Sequence, residues 1–135
     1  MSTPRTADAA IVGAGAAGLA AAIFLRREQP DASVLVLEGA PRPGAKILVS
    51  GGGRCNVTNR EVGPADFWAP DSGFVRRVLR ALPVAATVAF FEELGVRLHE
   101  EELGKLFPDS NRARTVLEAL LREVAGLGAE LRCGV

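Results

Sequence analysis

The stretch Ala9-Ala-Ile-Val-Gly-Ala-Gly-Ala-Ala-Gly18 decides the fold of this chain. It opens with a short apolar run of the kind that forms a buried parallel strand, and Gly13 ends that run. A helical pattern follows from Ala14 to Arg27, and the glycines have the G-x-G-x-x-G spacing of a dinucleotide-binding turn. The sequence therefore predicts a strand, a tight turn and a helix whose first N–H groups face an anion.

The residues of this turn have separate predicted roles. Gly13 allows the tight turn, Gly15 lets a pyrophosphate approach the backbone, and Gly18 lets the helix pack against the strand. Ala16 and Ala17 complete the turn and belong to the same predicted cofactor site. The turn predicts that the helix N-terminus binds the pyrophosphate of a dinucleotide.

A second apolar run, Val34 to Leu37, predicts the next buried strand, and this strand ends at Glu38. Glu38 follows Gly18 by about 20 residues, the spacing at which an acidic side chain accepts hydrogen bonds from a ribose. A carboxylate there would repel a 2′-phosphate, which argues against NADP in this site. Residues 1–38 thus predict a Rossmann-type βαβ unit with a parallel sheet, in an α/β fold.

A second Gly-rich stretch, Ser50-Gly-Gly-Gly-Arg-Cys-Asn-Val-Thr-Asn59, follows at the same end of the predicted sheet. Successive glycines can present several N–H groups to one anion or to the polar edge of a ring. Arg54 adds a planar fork and Lys46 a second cation. The stretch favours FAD over NAD and indicates where the flavin end lies. The predicted contacts are Lys46, Ser50, Gly51, Gly52, Gly53, Arg54, Cys55 and Asn56.

Cys55 leaves two interpretations open. One is a redox-active thiol near the flavin, and the other is a small residue that fills space beneath the loop. The second is favoured because no resolving cysteine or basic histidine is adjacent. The only other cysteine is Cys133, so a disulfide framework and a zinc ribbon are excluded. The single histidine, His99, is predicted to be a surface or turn residue, and no metal site is predicted.

The rest of the chain predicts further parts of the same domain, which we expect to be an N-terminal fragment truncated after its third strand. A common Rossmann-type sheet has more strands than this sequence predicts. The predicted parts are the βαβ core (1–38), a flavin-side Gly-rich loop (39–66), a helical and hairpin insertion (67–110), and a crossover helix with the third strand (111–135).

Capping and alternation patterns place the later elements. Asp71 or Ser72 is predicted to cap one helix, and Ser110 or Asn111 is predicted to cap another. Two β-prone runs between these helices predict a hairpin. Alternating apolar residues over 129–135 predict the third strand of the parallel sheet.

The composition argues against several classes of protein. The chain has 135 residues and a formal net charge of zero, so it shows no electrostatic attraction toward nucleic acid or an anionic membrane. The uncharged stretch from Ala9 to Leu25 is mostly alanine and glycine, and it is shorter than the about 20 residues of a membrane span. We therefore expect a cytoplasmic protein without a membrane partner.

These motifs together resemble the NAD(P)/FAD-dependent oxidoreductases of the aminoacetone oxidase and BaiN-like flavoprotein family. The similar stretches are residues 8–22, 36–38, 44–46, 50–59, 90–95 and 104–108. The resemblance implies a doubly wound FAD domain interrupted by a substrate domain. Ala45 and Lys105 depart from it, since a basic residue and an arginine are expected there.

The resemblance implies an FAD-dependent oxidoreductase that acts on a small-molecule substrate, with NAD(P)H as a candidate reductant. For some members it also implies the reduction of RNA uridine. Two alternatives stay open. One is an NAD-dependent dehydrogenase with the same G-x-G-x-x-G turn, and the other is a truncated, non-catalytic dinucleotide-binding fragment. No catalytic acid or base is predicted, because candidates such as His99 and Glu100 lie in no motif.

Overall fold

The computed structural model describes residues 6–135 as two small sheets and five α-helices. Short 3₁₀ turns occupy parts of the connections. In chain order the elements are β1 Ala9–Val12, α1 Ala16–Glu28, β2 Val34–Glu38, α2 Ala45–Val49, β3 Thr58–Asn59, α3 Ser72–Ala81, α4 Val84–Glu93, β4 Leu98–Glu100, β5 Lys105–Pro108, α5 Ala113–Gly126 and β6 Glu130–Cys133.

The first sheet is parallel and has the strand order β1-β2-β6. Its register aligns Val36 of β2 with Ile11 on one side and Leu131 on the other. Because all three strands run in one direction, their carboxyl ends meet at one edge, where Gly13 and Glu38 lie. The predicted α/β fold, with β6 as the third parallel strand, is confirmed.

The core lies between this sheet and the helices α1 and α5. Leu19 and Ile23 of α1 are fully buried, as is Val36 at the centre of the sheet. Val116 and Leu120 of α5 pack into the same cluster. The apolar stripes of both helices therefore face one side of the sheet, as their spacing predicts.

The second sheet is antiparallel, with the strand order β3-β5-β4. Strands β4 and β5 form the predicted hairpin, with Leu98 opposite Pro108. Thr58 pairs with Leu106, so a piece of the predicted flavin-side loop joins the hairpin as the short strand β3. This sheet fixes the far end of the second Gly-rich stretch.

The flavin-side loop predicted over 39–66 is not irregular throughout, since Ala45–Val49 forms the helix α2. Five residues are too few to show a helical period in the sequence. Contact with α5 stabilises the helix, since Ile47 is buried and a Cβ on Gly44 would lie 2.3 Å from Cδ1 of Leu117. The sequence did not predict this helix because the contacts that stabilise it come from α5, which lies far along the chain.

The capping predictions had mixed outcomes. Asp71 caps α3 as predicted, accepting a 2.7 Å hydrogen bond from the backbone N–H of Gly73. Neither Ser110 nor Asn111 caps α5, because Arg112 is the N-cap residue and makes no side-chain capping bond. The hydroxyl of Ser110 instead donates to Oγ1 of Thr115 at 2.7 Å.

Candidate cofactor site

The fingerprint loop, residues 13–18, makes a tight turn between β1 and α1. Gly13 has φ of 99°, a left-handed conformation that glycine adopts without strain. A Cβ on Gly18 would lie 1.8 Å from the carbonyl oxygen of Gly13. Gly13 is thus required by its backbone conformation, and Gly18 by the close approach of α1 to the turn.

The N-terminus of α1 is uncapped and open to its surroundings. Gly15 is its N-cap residue, no side chain caps it, and the first turn holds no acidic residue. A Cβ on Gly15 would have no heavy atom within 4 Å, so the space beside the helix start is open. These features fit a phosphate group at the positive end of the helix dipole.

Glu38 ties the end of β2 to the fingerprint loop. Its Oε1 accepts a 2.9 Å hydrogen bond from the N–H of Ala40, and its Oε2 accepts one of 2.8 Å from Ala14. These backbone donors, Ala40 first and Ala14 second, hold the pKa of Glu38 below its ordinary value. The carboxylate is therefore ionised at neutral pH beside the helix start, and ionised oxygens are acceptors suited to ribose hydroxyls.

A cavity of about 250 Å³ joins the fingerprint loop to the second Gly-rich stretch. Ala16 borders it from the first turn of α1, and Lys46 and Ser50 border it from α2 and the turn that follows. Cys55 and Asn56 complete this side of the wall. The fold thus brings five of the predicted cofactor residues to one cavity.

The glycine turn, Gly51–Gly53, is left-handed throughout, with φ of 54°, 67° and 85°. A Cβ on Gly51 would lie 2.7 Å from the nitrogen of Asn56 and 2.9 Å from Cε1 of Phe107. A Cβ on Gly52 would meet nothing within 4 Å. Packing requires glycine at Gly51, whereas at Gly52 only the backbone conformation does.

Arg54 and Asn56 are predicted cofactor contacts whose side chains are engaged by the second sheet. Nη1 of Arg54 lies 2.6 Å from Oε1 of Glu101. With its amide turned so that the nitrogen faces these acceptors, Asn56 donates to the carbonyl oxygens of Leu106 and Thr58 at 3.2 and 2.9 Å. Contact between these side chains and a cofactor stays a prediction.

Cys55 is a buried free thiol, 7% exposed, at the edge of the same cavity. Its φ of 63° is unusual for a residue with a side chain. Its N–H donates a 3.0 Å hydrogen bond to the carbonyl of Ser50, which closes the glycine turn. This burial is the feature that the space-filling interpretation requires.

Sequence reasoning missed the residues that surround Arg54. Glu101 lies 47 positions from it along the chain, and the ring of Phe107 lies 4.1 Å from its guanidinium carbon. His99 lies in β4 and not in a turn, and its side chain is 33% exposed, with Nε2 3.1 Å from Oε1 of Glu101. No local pattern in a single sequence links residues so far apart.

Residues 6–135 contain neither a metal-binding cluster nor a membrane-spanning helix. No group of three or more His, Cys, Asp or Glu side chains in this part of the chain is arranged to hold a metal ion. None of its helices has the length and apolar character needed to cross a membrane.

The chain is similar in sequence to characterised oxidoreductases. The chain is 37% identical over 125 residues to the 3-dehydro-bile acid delta(4,6)-reductase of Clostridium scindens, covering 93% of this chain and 30% of the relative. It is 40% identical over 121 residues to the ribosomal RNA dihydrouridine synthase of Haemophilus influenzae, covering 90% and 29%. The chain therefore spans about 30% of the length of these relatives.

Solved structures show the same fold. A 3-ketosteroid-delta4-(5alpha)-dehydrogenase from Rhodococcus jostii RHA1 superposes with a TM-score of 0.66 at 17% identity, over 95% of this chain and 38% of that one. The sequence also matches the family described as "HI0933-like protein Rossmann domain" over residues 7–135. This match, which spans nearly the whole chain, shows that the protein belongs to the HI0933-like family of FAD-binding Rossmann domains.

Proposed function

We propose that this chain is the FAD-binding part of a flavin-dependent oxidoreductase whose substrate is a small molecule. The observation that carries the proposal is the cavity of about 250 Å³ that Ala16 of the fingerprint loop borders together with Lys46, Ser50, Cys55 and Asn56. A cavity of this volume suits one part of a dinucleotide and not the whole cofactor. Both named relatives cited above support a reductive activity.

Each part of the site would contact one part of the cofactor. The N-terminus of α1, with Gly13 and Gly15, would hold the pyrophosphate, and Glu38 would accept hydrogen bonds from the adenosine ribose. Lys46 would place its ammonium beside the phosphates or the flavin edge. Bound FAD would supply the hydride transfer, and the protein would bind and orient it.

Among residues 6–135, no ion-pair partner for Lys46 is present. Its charge is therefore available to a ligand. The glycine turn follows Ser50 directly, and a Cβ on Gly52 would meet nothing within 4 Å. These features favour FAD over the alternative of an NAD-dependent dehydrogenase, for which a second Gly-rich segment is not needed.

The test is titration of the purified protein with FAD and with NAD. We expect FAD to co-elute with the protein, to give an absorption band at about 450 nm, and not to be displaced by NAD. A colourless protein that binds NAD and not FAD would support the alternative of an NAD-dependent dehydrogenase and contradict this proposal. NAD(P)H added without oxygen should bleach the band if it is the reductant.

A variant pair locates the cofactor. We expect Lys46→Ala to weaken FAD binding roughly tenfold, since a charge-assisted contact is lost. The chain's other lysine, Lys105, is exposed on β5, so Lys105→Ala is the matched control and should bind FAD normally. Equal effects of the two substitutions would place the cofactor elsewhere.

Reduction of RNA uridine is the second candidate function, since the Haemophilus influenzae relative is a ribosomal RNA dihydrouridine synthase. The net charge of zero gives it no electrostatic support from this chain. Incubation of the reduced protein with ribosomal RNA, followed by assay for dihydrouridine, distinguishes it from a small-molecule activity.

A further inference from the structure

The Arg54 side chain lies at the junction between the glycine turn and the hairpin. Its Nη1 is 2.6 Å from Oε1 of Glu101 and 3.4 Å from Oδ1 of Asn111. Its guanidinium carbon lies 4.1 Å from the centre of the Phe107 ring, within cation–π range. Three residues of the hairpin region thus fix the guanidinium immediately after the glycine turn.

Phe107 supports the glycine turn and Arg54 at the same time. The ring is 3% exposed and belongs to β5. A Cβ on Gly51 would approach its Cε1 to 2.9 Å, so the backbone of the turn packs directly on the ring. The ring therefore contacts the first residue of the turn and the guanidinium that follows the last one.

Arg54 and Lys46 differ in how their positive charges are compensated. Glu101 neutralises Arg54 at ion-pair distance, and it also accepts from His99, whose other ring nitrogen is 3.4 Å from Oδ1 of Asp109. The cavity wall includes Lys46 and not Arg54. The cation presented to the cavity is thus Lys46, while the charge of Arg54 is offset within the hairpin.

We propose that Arg54, Glu101 and Phe107 form a clasp that positions the glycine turn for the flavin. Arg54 is a positioning residue, and it does not contact the cofactor directly. This inference rests on the proposed function, because it takes FAD as the occupant of the cavity. It assigns Glu101, which lies in no recognised motif, a role in cofactor binding.

The sign of one substitution tests the clasp. If Arg54 contacted an anionic cofactor directly, Glu101→Gln would release its charge and tighten FAD binding. If the clasp positions the turn, Glu101→Gln loosens it and weakens FAD binding. We expect Glu101→Gln and Arg54→Gln each to weaken binding roughly three- to tenfold, and the double variant to be no weaker than either single one.

The control is a second ion pair on the same hairpin. Arg60 and Glu100 pair at 2.9 Å, and neither is a partner of Arg54, so Glu100→Gln removes the same charge without affecting the clasp. Its FAD affinity should stay within about twofold of the wild type. FAD binding by Glu101→Gln that equals or exceeds that of Glu100→Gln would overturn the proposal.

A readout independent of FAD separates this inference from the proposed function. In the protein without FAD, we expect Glu101→Gln to shift the backbone amide resonances of Gly51–Gly53 and to speed their hydrogen exchange. If the wild type binds no FAD, the proposed function fails and this readout alone judges the clasp. Unchanged resonances would refute it. If the single variant does not fold, the hydrogen exchange of Gly51–Gly53 in the double variant, which leaves no unpaired charge, is compared with the wild type instead, and unchanged exchange would refute the clasp.

Discussion

Gly18 is a residue at which packing alone excludes every side chain. Its Cβ would lie 1.8 Å from the carbonyl oxygen of Gly13, in backbone that is already tightly turned. We expect Gly18→Ala to lower the free energy of unfolding by about 3 kcal/mol. Urea denaturation followed by circular dichroism measures this loss.

Gly126, the last residue of α5, provides the control for that prediction. A Cβ there would meet nothing within 4 Å. Gly126→Ala should therefore leave stability unchanged or raise it by up to about 1 kcal/mol, through helix propensity. Equal urea midpoints for Gly18→Ala and the wild type would contradict the packing argument.

Glu38 makes stability depend on pH. Its ordinary pKa is 4.5, and backbone donors lower it in the folded chain. Its stabilising effect is therefore complete above pH 4.5 and is lost as the pH falls through the lower folded-state pKa, because the unfolded chain takes up the proton first. We expect Glu38→Gln to flatten the acid limb of the stability curve, measured by denaturation at a series of pH values. An acid limb as steep as that of the wild type would assign the dependence to other carboxylates, such as Glu101.

At the level of elements, α5 contributes most to the core beside the sheet. Leu120 is 2% exposed and also borders the cavity. We expect Leu120→Ala to lower the free energy of unfolding by about 3 kcal/mol, since it removes buried methyl groups and enlarges an existing cavity. Glu118 lies on the exposed face of the same helix, and Glu118→Ala should change stability by less than about 0.5 kcal/mol. Comparable losses in the two variants would mean that α5 does not pack as described.

For the whole molecule, the exposed strand β1 has consequences for solubility. Among the described strands β1 pairs only with β2, and its Val12 is 87% exposed. An apolar edge of this kind favours association between chains, and a charge on the edge opposes it. We expect Val12→Lys to reduce light scattering in concentrated solution without lowering the thermal midpoint.

Val49 provides the matched control, because it is 69% exposed but lies in α2, away from the sheet. Val49→Lys should scatter light as the wild type does. If both lysine variants reduced scattering equally, net charge and not the edge strand would explain the association.

The elements differ in how far the sequence predicts them. The βαβ unit and the hairpin follow from short-range patterns, and the structure confirms both. Helix α2 does not, because its stability comes from contacts with α5 that lie far along the chain. Prediction from sequence succeeded where neighbouring residues determine conformation and failed where distant contacts do.

The sequence by itself determined the fingerprint loop, the strands on either side of α1, and the choice of an FAD-binding Rossmann domain. Those features depend on residue spacings within a few turns of chain, where backbone sterics and apolar periodicity act. Only the tertiary structure decided that Lys46 and Ala16 share one cavity and that Arg54 pairs with Glu101. Such contacts depend on how helices and sheets pack, and the 47 positions between Arg54 and Glu101 carry no local pattern that would reveal them.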